Sequence, residues 1–166
     1  MSLDLKPIHH ESVGRAIEKA ERYRLLNEPC LAESICLDVL AIEPDHPQAL
    51  VIYALALSDQ FKDGQDGGFR RALDAVGRLG GEYERLYYGG IVHERRGHAC
   101  LHTGGPGARA AAWHYLTDAM ALYEKADAIH AAGNEDAILR WNTCVRLVQR
   151  HRLEAPPDDR HDYPLE

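Results

Sequence analysis

No two cysteines in this chain are spaced Cys-x-x-Cys, and only four occur: Cys30, Cys36, Cys100 and Cys144. With Cys36 and Cys144 on apolar helix faces, the expectation is four reduced thiols packed as small hydrophobes in a cytoplasmic protein. No run of about 18 apolar residues is present, so no membrane span is expected. The first residues, Met1-Ser2-Leu3-Asp4-Leu5-Lys6-Pro7, lack the basic start and apolar core of an export leader. Basic residues are the minority, 19 against 26 acidic ones, and the net charge is −7. That balance argues against nucleic acid or an anionic membrane as a main partner. β-Branched residues are sparse and Ala is abundant, which favours helix over strand. No Ser-His-Asp or Cys-His order stands out, and no pair of carboxylates is held at fixed spacing. Gly104-Gly105-Pro106-Gly107 precedes a helix, but without a following Lys-Ser/Thr or a preceding strand it is not a nucleotide loop.

What is present is an ordinary globular balance, 45% hydrophobic and 27% charged over 166 residues. A chain of this length makes one domain that buries roughly 70% of its unfolded surface. Residues 1–10 read as a polar lead-in, 11–151 as a helical domain and 152–166 as a polar tail. His9-His10-Glu11 ends the lead-in, with Glu11 placed to complement a helix dipole.

Apolar periodicity places helices over 11–26, 30–42, 47–60, 69–79, 82–98, 108–130 and from Gly133-Asn134 to about 151. Pro29 suits a first helical turn, and Pro44 and Pro47 bracket a break. The 47–60 segment is apolar almost all round, as in a helix buried on several sides. Gly89-Gly90 inside a helix costs about 1 kcal/mol per glycine relative to Ala, so a close approach by a neighbouring helix is expected there. The stripe expected to face inward on the last helix is Ile138, Trp141, Val145 and Val148.

One spacing occurs twice. Ala32-x-x-x-Cys36 is followed by Pro44, and Ala119-x-x-x-Tyr123-Glu124-Lys125-Ala126 by Ala131-Ala132-Gly133-Asn134. Each reads as the second helix of a helix–turn–helix unit. The first helices of the units begin near 11, 47 and 82, close to a 34-residue period.

These residues resemble the tetratricopeptide repeat family over about residues 11–150. The small residues Ala20, Ala32, Ala54 and Ala119 stand where that family packs paired helices closely. Ala131 stands where it usually has proline, and the Trp-Leu-Gly-Tyr signature of a first helix is not intact. The whole chain is also similar to a group of small bacterial repeat proteins without an assigned activity. The resemblance implies an all-α fold of about three stacked helix hairpins with a C-terminal capping helix. It also implies a non-catalytic module that holds a protein or peptide segment in the groove made by the first helices, with no cofactor. In well-known members Lys, Arg and Asn clamp a C-terminal carboxylate; the corresponding surface here offers Ile17, Glu21, Arg24, Val51 and Leu55, which make no such clamp. The groove is expected at Arg24, Tyr87, Glu94, Arg95, Arg140 and Asn142.

Two other readings stand beside this one. The apolar 47–60 helix and the aromatic-rich 83–91 segment could supply a homodimer face. The segment from His93 to His102 could serve a metal-dependent enzyme, although His93 and His98 are five apart, about 140° around a helix. His98 and His102 have the four-residue spacing, at a point where the helix is expected to end. The tail is acidic, carries Tyr163 and Leu165, and is of a kind to dock at Arg24 and Arg140.

Overall fold

A computed structural model describes residues 3–63 and 67–157. The described residues form seven α-helices and no strand. These are α1 (Val13–Leu25), α2 (Pro29–Ile42), α3 (Pro47–Asp59), α4 (Gly68–Gly77), α5 (Glu82–Thr103), α6 (Ala108–Asp127) and α7 (Asp136–His151). A 3-10 turn, His10–Ser12, leads into α1, and another, Phe61–Asp63, follows α3. Docking of the tail at Arg24 and Arg140 falls on residues 158–166, outside the described ones.

Local chemistry sets the boundaries. Pro29 and Pro47 occupy the first turns of α2 and α3, where a missing N–H costs nothing. His46 caps α3: its Nδ1 accepts from the Ala49 N–H at 3.3 Å. Helix α5 runs to Thr103, five residues beyond the expected 98, and ends at Gly104 with φ of +67°. Nothing in the segment 99–103 interrupts the ladder before a residue that favours the left-handed region.

Each helix packs on the next, and α1 also touches α3, α3 touches α5, and α5 touches α7. The odd-numbered helices therefore form one row. Helix α3 is enclosed, with Ala49, Leu50, Ile52, Tyr53, Ala54, Ala56 and Leu57 buried. That burial leaves 47–60 no continuous apolar face for a second copy. One apolar cluster joins α1 to α4 and includes Val92 and Ala99 of α5; another joins α5, α6 and α7. Helix α5 thus serves both.

The two longest helices, α5 and α6, make the most extensive contact in the fold, and glycine sets their distance. A Cβ on Gly90 would lie 2.7–2.8 Å from ring carbons of Tyr123. One on Gly97 would lie 3.0 Å from Leu116 Cγ and 3.4 Å from the Ala112 carbonyl oxygen. Glycines 90 and 97 stand two turns apart on one face, so the low helix propensity of Gly is offset along a shared seam.

Helix α7 differs from expectation. It buries Ala137, Cys144 and Leu147; of the expected stripe, Trp141 and Val148 pack partly buried against the same cluster, whereas Val145 does not join it and Ile138 is 39% exposed. Its sequence carries apolar residues on two adjacent stripes, and the smaller side chains allow the closer approach to α6.

Gly90→Ala will lower stability. Ala gains up to about 1 kcal/mol in helix propensity, but crowding Tyr123 costs about 1–3 kcal/mol. Gly14, in α1, has nothing within 4 Å of a would-be Cβ, so Gly14→Ala will be neutral or stabilising. Urea unfolding of both variants checks the opposite signs.

Candidate functional site

The row of odd-numbered helices carries a polar cavity of about 350 Å³. Asn27 at the end of α1, Asp59 of α3, Lys62 of the following turn, Arg95 and His98 of α5 and Arg140 of α7 line it. Four cations (Arg24, Lys62, Arg95 and Arg140) meet two carboxylates, Asp59 and Glu94, within an acidic chain.

The carboxylates hold the arginines in place. Asp59 forms an ion pair with Arg95 at 2.8 Å and accepts a hydrogen bond from Arg24 at 3.4 Å. Arg95 also donates to Ser58 Oγ at 2.7 Å and to the Leu55 carbonyl at 3.0 Å. Burial lowers the Arg95 pKa, and Asp59 only partly opposes that. Arg24 Nε is buried without a partner. Lys62, by contrast, is exposed.

Glu94 is 3% exposed and fully engaged. Tyr123 Oη donates to its Oε2 at 2.7 Å, and Arg140 to its Oε1 at 3.1 Å. Burial, then the Glu94 charge, raises the Tyr123 pKa and keeps the phenol protonated. For Arg140, burial works against the charge, but Glu94 and a hydrogen bond to Tyr87 outweigh it, and the pKa is raised. The contact depends on Gly90: the Tyr123 ring crosses α5 there, one turn before Glu94.

Of the six residues expected in the groove, Arg24, Glu94, Arg95 and Arg140 come together. Tyr87 joins through its hydrogen bond to Arg140, while stacking on Tyr83 with ring centroids 5.7 Å apart. Asn142 does not join. It lines a separate cleft of about 230 Å³ between α6 and α7, with Trp141, Ile138 and Tyr123. Two residues further along a helix is a rotation of about 200°, so Arg140 and Asn142 cannot share a face. Asp59, Lys62 and His98 were missed as groove residues. The signal for Asp59 was its place as the polar end of an apolar helix.

The segment from His93 to His102 lies wholly within α5, so the helix does not end before His102. His93 faces away from the groove, edge-on to Phe69 at 5.2 Å between centroids, with Tyr115 at 6.1 Å and Asp118 at 3.7 Å. His98 faces the groove. Among the described residues no three His, Cys, Asp or Glu side chains gather to hold a metal ion. All four cysteines are free, and burial pushes the thiols of Cys36 and Cys144 up to about 12, where they are unreactive. No described helix is long and apolar enough to cross a membrane.

Searches against protein-family models, curated proteins and solved structures found no match to this chain.

Two outcomes follow from this geometry. Tyr123→Phe leaves a buried carboxylate oxygen without its donor, and urea unfolding should show a loss of about 1–3 kcal/mol. His93 has its pKa lowered by burial, so the unfolded chain takes up a proton first as pH falls. Its contribution is complete above about pH 6.5 and is lost as pH falls through the lower folded-state value. Between pH 7.5 and 5.5 the urea midpoint will therefore fall, and by less in His93→Gln. His98, lowered in the same way, keeps its share; an unchanged slope would show that His93 contributes nothing.

Proposed function

We propose that this chain is a non-catalytic binding module of tetratricopeptide-repeat type, holding an acidic segment of a partner protein in the groove of α1, α3, α5 and α7. The observation that carries the reading is that Lys62, Arg95 and Arg140 line that cavity, with Arg24 paired to its Asp59, against two carboxylates, on a chain of net charge −7. The local sign there is the reverse of the chain's own. The start-to-start spacing of those helices and the succession of packed pairs support a repeat architecture.

Asp59 and Glu94 act as fixed counter-charges that keep Arg95, Arg24 and Arg140 extended at the groove wall. The remaining capacity for an incoming carboxylate lies with Lys62 and with the guanidinium edges not already engaged. Recognition of this kind reads charge and spacing along an extended segment, and it weakens with salt. The same reading places the protein in the cytoplasm, where its four thiols stay reduced.

Fluorescence anisotropy with a labelled extended peptide rich in Asp and Glu, and with its charge-reversed counterpart, tests the proposal. The acidic peptide will bind more tightly, its affinity will fall with salt, and Lys62→Glu will weaken it roughly fivefold or more. Equal affinity for both peptides, or indifference to Lys62→Glu, overturns the reading. Lys62 is exposed, so the variant keeps the fold.

A further inference from the structure

The solvent face of α7 is built like half of a helix pair. Ile138 is 39% exposed and Leu139 is 61% exposed, and Val145 is half-buried. Ile138, Asn142, Val145 and Gln149 follow one another at spacings of four, three and four, the seam of two packed helices. The helix rests on α6 and α5 with its opposite side, and a cleft of about 230 Å³ opens beside Ile138 and Trp141. Among the described residues the Asn142 side-chain amide has no hydrogen-bond partner.

We propose that this face pairs with the same face of a second copy, antiparallel, about a two-fold axis at Asn142. The pattern is self-complementary in that arrangement alone. With Asn142 opposite Asn142, the edge carrying Ile138 meets Val145 of the other copy, twice over. The other edge brings Glu135 to the level between Arg146 and Arg150, again twice. A parallel pair would set the edge of Glu135, Arg146 and Arg150 against the edge of Ile138 and Val145, and would pair no opposite charges. In a two-fold interface each contact is repeated, so a single pair of opposite charges on one chain is enough to select the antiparallel form. An asparagine amide both donates and accepts, so two of them at the axis satisfy each other. A polar residue at one seam position fixes register at a cost in affinity. The helix is roughly 24 Å long at 1.5 Å per residue, so the interface is at the low end of specific ones. A weak, concentration-dependent dimer is expected. The groove lies on the other side of α7, at Arg140, and stays open in the pair.

Sedimentation velocity of the full chain from about 5 to 500 µM tests this. The wild type will shift from monomer to dimer. Glu135→Arg will weaken the dimer at least fivefold, and so will Arg146→Glu with Arg150→Glu. The three substitutions together will restore it, a result that general surface charge does not produce. Asn142→Leu will alter the association, whereas Leu31→Gln, an exposed apolar site on α2, will not. Glu135, Arg146 and Arg150 are exposed, so circular dichroism will show intact helices in every variant. A monomer at all concentrations, or a dimer indifferent to the charge substitutions, overturns the proposal. Because acidic-peptide binding is read separately, failure here leaves the groove reading standing, and the reverse also holds.

Discussion

The approach of α6 to α5 over Gly90 and Gly97 is the contact on which the rest depends. Without side chains at those positions, the Tyr123 ring lies directly over α5 and its hydroxyl reaches Glu94 at 2.7 Å. That hydrogen bond makes it tolerable to bury a carboxylate at 3% exposure, since a buried charge is costly unless it is paired and hydrogen-bonded. Glu94 then holds Arg140 at 3.1 Å, so α7 is tied to α5 by charge as well as by packing. The two apolar clusters share α5, so a change in the α5–α6 distance reaches both.

The same arrangement explains how an acidic chain carries a basic hollow. Arginines in a groove repel one another and lose solvation. Asp59, between Arg24 and Arg95, and Glu94, beneath Arg140, relieve that repulsion without cancelling it. Arg95 shows the balance: burial lowers its pKa, Asp59 opposes the fall, and Arg24 and Arg140 add to it. Two hydrogen bonds, to Ser58 Oγ and the Leu55 carbonyl, and the ion pair with Asp59 hold its guanidinium in one orientation. The arginines are thus held in place by the chain itself, and under the binding reading proposed above such preorganisation would lower the ordering cost.

Helix number and most helix limits were legible in the sequence because prolines and glycines act locally. Pro29, Pro47 and Gly104 do the same thing in any fold, and an apolar stripe needs only the helical period to be seen. The end of α5 was misplaced for the opposite reason: Gly97 interrupts propensity but not the hydrogen-bond ladder, and here it serves the contact with Leu116. The groove was half legible. Arg24, Glu94, Arg95 and Arg140 stood out as charged residues on helices expected to share a row. Asp59, Lys62 and His98 did not, because what brings them there is the stacking of α1, α3 and α5. Asn142 was expected in the groove with Arg140, and the helical rotation between the two removes it.

The sequence by itself determined that the chain is helical, where its helices break, and that a close crossing occurs at the glycines of α5. Backbone propensity, proline sterics and the period of apolar residues are properties of short segments. Only the tertiary structure decided that Ala137, Cys144 and Leu147 turn inward on α7 while Ile138 does not, which carboxylate meets which arginine, and that Lys62, Arg95 and Arg140 line one hollow. Those outcomes depend on distances between residues 35 to 46 positions apart in the chain, as between Arg24 and Asp59 or Glu94 and Arg140. No local preference encodes such distances; they follow from how closely the helices can pack.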